Sequence, residues 1–142
     1  MQLIKDILKL KGNDFLSVTS DTSVCQALKL MMDQGVGSTL VVDGEELRGL
    51  FSERDCAKQM ADDCSASLDA PIENFMSSPV LCTRPDQSIN ECMALMTDKR
   101  IRHLPVITDG KIVGIVSIGD LVKAVISEQQ FVIEQLEHYI AS

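Results

Sequence analysis

The sequence is poor in aromatic residues: its 142 residues include four Phe, one Tyr and no Trp. A buried core must therefore be aliphatic, and the 45% hydrophobic content is high enough to exclude wholesale disorder. No apolar run approaches the roughly 18 residues that a membrane-spanning helix needs. Residues 1–12 lack the apolar centre of a secretory signal. We therefore expect a soluble, cytoplasmic protein without a membrane partner.

Patterns of cysteine and histidine that would indicate a metal or a disulfide are missing. The five cysteines form no C-x-x-C pair, and their odd number argues against a disulfide framework. Only two histidines are present, and no P-loop, G-x-S-x-G or H-E-x-x-H string occurs. These absences predict neither a metal site nor an enzyme.

Positive charge is also scarce, because 13 Lys and Arg face 21 Asp and Glu, for a net charge of −8. Such a chain is repelled by nucleic acid and by anionic membrane surfaces, so neither is expected as a partner. Any phosphate that binds must be met by a local basic cluster.

What the chain does contain is an internal repeat. The segments Gly49–Asp55 (GLFSERD) and Gly114–Asp120 (GIVSIGD) share Gly, Ser and Asp at an offset of 65 residues (117 − 52). In front of each copy, Ile4–Leu8 (IKDIL) resembles Ile72–Met76 (IENFM) at a slightly longer offset. The repeat predicts two copies of one structural unit.

Each copy predicts the same order of elements, β-α-β-β-α. Capping boxes at Ser23 and Ser88 begin the first helices, and the second helices open at Asp55 and Asp120. Asp-Gly turns join the second and third strands. The predicted strands are 16–19, 39–42 and 47–52 in the first copy and 80–83, 104–107 and 112–117 in the second.

The predicted fold is an α/β sandwich of two such units packed about a pseudo-two-fold axis, because one copy alone is too small to bury both faces of its sheet. The predicted domains are 1–62 (first unit with an N-terminal helix), 63–70 (linker), 71–126 (second unit) and 127–142 (C-terminal helical extension). An apolar helical stripe over 122–140 predicts a further partner surface.

The doubled Ser-x-x-Asp at the strand-to-helix junctions has two readings. Ser52 with Asp55, and Ser117 with Asp120, can form capping boxes that need no ligand. The same groups can bind a ligand, since a helix start accepts phosphate and a carboxylate accepts hydrogen bonds from both hydroxyls of a ribose. Both readings stay open at this point.

A short basic cluster, Lys99-Arg-Ile-Arg-His103, stands out in so acidic a chain. Cations favour helix C-termini, which explains Lys99 and Arg100. Arg102 and His103 lie just before a predicted buried strand, where a phosphate clamp is the better interpretation. Pro105 is tolerated near the strand start.

With these residues in view, the chain resembles a tandem pair of cystathionine-β-synthase (CBS) domains, the Bateman module. The resemblance lies in Arg102–Val106 (RHLPV), Gly114–Asp120, Val36–Val42 (VGSTLVV) and Gly49–Asp55, and covers about residues 4–126. It implies binding of an adenosine derivative such as AMP, ATP, NAD or S-adenosylmethionine in clefts between the two units, without an obligatory cofactor.

The resemblance also implies roles for single residues. In the second copy Asp120 would hold the ribose diol, Ser117 would reach the ribose or phosphate, and Arg102 and His103 would face the phosphates. The residues expected beside the base are Val80 and Pro105.

In the first copy Ser52 and Asp55 would take the corresponding roles, with Arg54 as a phosphate ligand. Gly37 and Ser38 replace the cationic pair, which predicts a weaker site, an empty one, or one for a less charged ligand.

The family resemblance further implies a stand-alone regulatory protein that forms a homodimer and signals to an unidentified protein target. The alternative is a structural interaction module whose nucleotide clefts are vestigial. An enzyme such as a nucleotide hydrolase ranks last, since no catalytic constellation is visible.

Overall fold

The computed structural model describes residues 2–141, which divide into two compact units. The first-repeat unit comprises residues 14–81, and the second-repeat unit combines residues up to Asn13 with those from Cys82 onward. In chain order the elements are α1 (Ile4–Lys11), β1 (Ser17–Val18), α2 (Val24–Gln34), β2 (Ser38–Asp43), β3 (Glu46–Ser52), α3 (Glu53–Asp62), the 3₁₀ turn Ile72–Asn74, α4 (Ile89–Lys99), β4 (His103–Thr108), β5 (Lys111–Ser117) and α5 (Ile118–Ala141).

Both predicted hairpins are confirmed. In the first-repeat unit β2 pairs antiparallel with β3, and β1 adds to β2 in parallel. In the second-repeat unit β4 pairs antiparallel with β5. The Asp109-Gly110 turn has positive φ at both residues, 51° and 76°, which is the geometry that matches the twist of hairpin strands.

The first strand of the second copy, predicted over 80–83, is reduced to one parallel bridge between Thr83 and Val106. In the first-repeat unit the amide of Leu40 donates to the carbonyl of Leu16 at 3.0 Å. The residue 65 positions after Leu40 is Pro105, which has no N–H, so the corresponding bond to the carbonyl of residue 81 cannot form. Proline therefore shortens the ladder in this copy.

Each unit has its own core, which is mainly aliphatic as the composition predicts, although the first-repeat unit also buries Phe51 and Phe75. In the first-repeat unit the core centres on Phe51, Met31, Val24 and Val41. In the second-repeat unit it centres on Leu104, Val116, Met96 and Leu121. The five cysteines, all between residues 2 and 141, form no disulfide; Cys92 is buried in this second core, while Cys64 and Cys82 are exposed.

The segment in front of each repeat packs in the unit of the other repeat. Helix α1 joins the second-repeat unit, where the amide of Ile4 donates to the carbonyl of Gln87 at 2.9 Å. Residues 72–76 join the first-repeat unit, where the amide of Ile72 donates to the carbonyl of Thr22 at 2.7 Å. Both Ile4 and Ile72 are fully buried. The predicted domain 1–62 places α1 with the first repeat, whereas the compact units place α1 with the second repeat.

The two exchanged segments end in equivalent contacts. A Cβ built on Gly114 would lie 2.8 Å from the Leu8 side chain, and one built on Gly49 would lie 2.5 Å from the Met76 sulfur. Leu8 and Met76 are the last residues of the two matched pentapeptides. Glycine is needed at both strand positions because the incoming segment occupies the space of a side chain.

Residues of the predicted linker, 63–70, bond to the start of a helix in the first-repeat unit. Within 63–70, the carbonyls of Leu68 and Ala70 accept from the amides of Cys25 and Val24 at the start of α2, at 2.8 and 3.0 Å. Helix α5 runs without interruption across the predicted boundary at 126/127. The outermost residues of the predicted domains, Met1 and Ser142, lie outside the described residues. No helix between residues 2 and 141 is both long and apolar enough to cross a membrane.

We predict that Gly49→Ala lowers the free energy of unfolding by about 1–3 kcal/mol, because its Cβ would also meet the backbone carbonyl of Ser77 at 2.9 Å. Gly114→Ala should cost less, since only the side chain of Leu8 must move, and the cost should shrink further in a Leu8→Ala background. Urea unfolding measures both effects. Gly37→Ala is the matched control, because a Cβ there meets nothing within 4 Å; equal losses in all three variants would contradict the packing argument.

Candidate functional site

The Ser-x-x-Asp junction of the second-repeat unit forms a reciprocal pair of hydrogen bonds. The amide of Ser117 donates to Asp120 Oδ2 at 2.8 Å, and the amide of Asp120 donates to Ser117 Oγ at 3.2 Å. This confirms the capping-box reading at the start of α5. It also fixes the carboxylate of Asp120 in one orientation, half-buried at the end of β5.

A residue that the sequence reasoning missed completes this site. Lys11, at the end of α1, donates from Nζ to Asp120 Oδ2 at 2.7 Å and to the carbonyl of Ile115 at 2.8 Å. The side chains of Lys11 and Asp120 keep 34% and 25% of their exposure, so the ion pair is partly shielded from water. The hydrogen bonds from Lys11 and from the Ser117 amide both end on Asp120 Oδ2.

Charge and burial act in opposite directions on Asp120. Burial raises its pKa, but the hydrogen bond and charge of Lys11, together with the Ser117 amide, outweigh burial and leave the pKa below its ordinary value. The carboxylate is therefore ionised at neutral pH and ready to accept hydrogen bonds.

The predicted phosphate clamp lies at the same end of the β4–β5 hairpin. His103 is the register partner of Ser117, and the carbonyl of Arg102 accepts from the amide of Ile118 at 2.8 Å. Arg102 is exposed and His103 half-buried. Pro105, two residues further along β4, is buried and pairs with Ile115. The structure thus groups four of the predicted residues around one junction: Arg102, His103, Ser117 and Asp120.

The first-repeat unit repeats this geometry with different chemistry. Asp55 Oδ2 accepts from the amide and the hydroxyl of Ser52 at 2.9 and 3.0 Å, and the capping box at α3 is confirmed. Its Oδ1 accepts from the hydroxyl of Ser77 at 3.1 Å, so a neutral group contacts this carboxylate where Lys11 contacts Asp120.

The backbone around the first-repeat junction also matches. Ser38 is the register partner of Ser52, and the carbonyl of Gly37 accepts from the amide of Glu53 at 3.1 Å. Gly37 and Ser38 thus occupy the places of Arg102 and His103. Arg54 is exposed in the first turn of α3. Apart from Arg54, the residues named at this junction are uncharged or acidic.

Val80 belongs to the first-repeat unit, whereas Asp120 and Pro105 belong to the second. Its role beside a base therefore stays a prediction from the resemblance. Lys11 lies three residues after the matched segment Ile4–Leu8, and Ser77 lies one residue after Ile72–Met76, so the match marks their neighbourhood without pairing them. Among residues 2–141, no three His, Cys, Asp or Glu side chains are grouped so that they could hold a metal ion.

The family model of the CBS domain matches residues 4–62 and 72–127, which are the two repeats with their preceding segments. The chain belongs to the CBS domain family. Two consecutive CBS domains confirm the tandem arrangement that the repeat predicted.

Named relatives contain CBS domains as well. The CBS domain-containing protein CBSX3, mitochondrial, of Arabidopsis thaliana is 36% identical over 96% of this chain and 71% of its own length. A solved structure of a protein with CBS domains from Burkholderia ambifaria MC40-6, provisionally described as a signal-transduction protein, has a TM-score of 0.85. It is 43% identical and covers 90% of this chain and 96% of its own.

One CBS relative was crystallised with ligands. The CBS domain pair of protein MJ0100 was solved in complex with 5′-methylthioadenosine and S-adenosyl-L-methionine. It is 25% identical to this chain, with a TM-score of 0.79, and covers 90% of this chain and 98% of its own. Both of its ligands contain adenosine.

We predict that Lys11→Met raises the pKa of Asp120, because the nearby ammonium that favours the carboxylate is lost. The measurement is an NMR titration of the Asp120 carboxyl carbon in wild type and variant. A folded-state pKa below the unfolded value means that Asp120 stabilises the native state at neutral pH, and that this contribution disappears as the pH falls through the folded pKa. Lys11→Met should therefore flatten the acid limb of the stability curve, whereas Lys9→Met, on the same helix, should leave it unchanged. Identical Asp120 titrations in wild type and Lys11→Met would rule out the ion pair in solution.

Proposed function

We propose that this CBS protein is a regulatory module that binds an adenosine-containing nucleotide and does no chemistry on it. The ligand candidates are AMP, ATP and NAD(H). The protein would act in the cytoplasm as a homodimer, and its output would be a change in the binding of a target protein.

The observation that carries this proposal is the position of Asp120. Its carboxylate is ionised, partly shielded from water and fixed at the start of α5 by Ser117. A fixed carboxylate is suited to a vicinal diol, because each oxygen can accept from one hydroxyl. Ribose supplies that diol in AMP, ATP, NAD(H) and S-adenosylmethionine.

The surroundings of Asp120 supply the rest of the recognition. Arg102 and His103 lie beside Ser117 at the end of the hairpin, and the guanidinium of Arg102 adds a positive charge there in a chain of net charge −8. A charged donor at a phosphate makes a stronger bond than a neutral one. The adenosine ligands of the MJ0100 domain pair support the same ligand class for this chain.

We predict that Asp120→Asn weakens nucleotide binding by about 10- to 100-fold, the loss expected when hydrogen bonds to a charged acceptor are removed. Isothermal titration of the full chain with AMP, ATP, NADH and S-adenosylmethionine makes the measurement. Asparagine keeps an oxygen for the Ser117 amide, so α5 should stay capped and circular dichroism should match wild type.

Two controls accompany that variant. Asp109→Asn changes the same charge at an exposed turn whose positive φ asparagine tolerates, and should not affect binding. Asp55→Asn reports on the first-repeat site. Full nucleotide affinity in Asp120→Asn would refute the proposed role of Asp120, and silence of wild-type protein toward all four ligands would refute the proposed function.

A second candidate function is an interaction module without a ligand. It is favoured by helix α5, whose C-terminal half exposes large apolar side chains, with Tyr139 at 80% and Ile140 at 81% exposure. The neutral residues at the first-repeat junction favour it as well, because they offer a phosphate little beyond the exposed Arg54.

We predict that removal of residues 131–142 lowers self-association while nucleotide affinity stays within about twofold of wild type, because the deleted residues lie at least ten positions beyond Asp120 (131 − 120 = 11). Sedimentation velocity measures assembly, and titration with the best ligand measures binding. Unchanged self-association would show that the exposed stripe of α5 has another role. Loss of nucleotide binding together with assembly would show that sensing and assembly are one function.

A further inference from the structure

The carboxylate that would hold a ribose is already engaged. Lys11 Nζ lies 2.7 Å from Asp120 Oδ2, the same oxygen that accepts from the Ser117 amide. A vicinal diol uses both carboxylate oxygens as acceptors. A ligand bound to Asp120 must therefore displace the ammonium of Lys11 from Oδ2, or share that oxygen with it.

A cavity of about 210 Å³ opens beside this ion pair. Its wall includes two ammonium groups, two carboxylates and the Gln2 amide, from Lys11, Lys123, Asp6, Asp120 and Gln2. Asp6 accepts a hydrogen bond from the Leu3 amide at 2.9 Å, so a ligand that occupies Asp120 leaves the ammonium groups of Lys11 and Lys123 to be compensated by an anion. The volume is below the range of about 300 Å³ and more that is typical of small-molecule sites, so the cavity suits one part of a nucleotide.

A second observation on the cavity wall points to a bound group. The side-chain oxygen of Gln2, Oε1, is buried without a hydrogen-bond partner in the part of the chain that the structure describes. A buried acceptor without a partner is costly, and a ligand N–H or O–H would satisfy it. The wall therefore offers cations for an anionic group and an acceptor for a hydroxyl or amino group, a combination that fits a ribose with an attached phosphate.

We propose that Lys11 selects the ligand of the second-repeat site by charge: it exchanges its bond to Asp120 for one to an anionic group next to the ribose. The site then takes nucleoside phosphates in preference to uncharged nucleosides. A phosphate accepts a charged hydrogen bond from Lys11 in place of the one that Lys11 loses to Asp120. An uncharged nucleoside displaces Lys11 from Asp120 but has no charged acceptor for its ammonium group. This inference rests on the proposed function and names the chemical class of its ligand.

The first-repeat site provides an internal comparison. There the hydroxyl of Ser77 contacts Asp55, and it can donate to a carboxylate or turn toward a ligand without any unpaired charge. The Ser-x-x-Asp frame is the same in both units, so the difference lies in the exchanged segments that carry Lys11 and Ser77. These segments, and not the shared frame, set the charge of the ligand.

The test is isothermal titration of the full chain with AMP and with adenosine, which differ only in the phosphate. Lys11→Met removes the charge at nearly constant length, Lys11→Arg keeps it, and Lys9→Met removes an equal charge elsewhere on α1. A binding heat that is present in wild type and absent in Asp120→Asn is assigned to the second-repeat site.

We expect wild type, Lys11→Arg and Lys9→Met to prefer AMP over adenosine by about tenfold or more, as one charged hydrogen bond implies. In Lys11→Met that ratio should fall to about threefold or less, and adenosine should bind at least as tightly as in wild type, because Lys11 no longer competes for Asp120. An unchanged ratio in a Lys11→Met protein that still binds AMP would overturn the inference while the proposed function survived. If wild type bound neither compound nor any other nucleotide, both the proposed function and this inference would be refuted.

Discussion

The structure depends on the junction at which the last strand of each repeat becomes a helix. Serine and aspartate exchange hydrogen bonds there, so the first turn of the helix is capped and the carboxylate is fixed. Capping and ligand binding are often weighed as competing explanations of such a motif. Here one oxygen of Asp120 meets both the amide of Ser117 and the ammonium of Lys11, and the carboxyl group remains oriented by the fold itself. A group that is already positioned loses little conformational freedom when a ligand arrives, so the cap supports binding instead of excluding it.

The second constraint is that neither repeat is complete with its own residues. Gly49 and Gly114 leave room on their strands for Met76 and Leu8, and those side chains arrive on segments that precede the other repeat in the sequence. Strand, glycine and incoming segment therefore form one packed arrangement in each unit. The exchange brings Lys11 within hydrogen-bonding distance of Asp120, although 109 residues separate them in the sequence. A contact of that kind links the N-terminal helix to the site directly.

Much of the fold could be predicted from the sequence because both copies of the repeat predict the same order of strands and helices. The two hairpins and the two Ser-x-x-Asp capping boxes fell where both copies agreed, and Asp-Gly marked a turn. The shortened first strand of the second copy could not be seen in a hydrophobic pattern, since it results from a missing N–H at Pro105. Lys11 was missed for a different reason: its charge reads as ordinary helix surface until the packing of Leu8 on Gly114 shows where α1 lies. The match between Ile4–Leu8 and Ile72–Met76 showed that the two segments are equivalent. It did not show that each segment packs in the unit of the other repeat, which is what places Lys11 near Asp120.

The comparison of the two junctions separates what is shared from what has diverged. Backbone register, capping geometry and the aspartate are common to both units, so a mutation that removes the cap would disturb the fold as well as any site. The variable groups stand around them: Lys11, Arg102 and His103 in one unit, Ser77, Gly37 and Ser38 in the other. A strongly acidic chain repels phosphate at long range, and screening limits that repulsion to about 10 Å in salt. Lys11 on an exchanged segment and Arg102 at a strand end place two cations at one junction, whereas Arg54 is the cation named at the other. One duplicated scaffold can in this way present two sites of different charge without any change in the residues that hold it together.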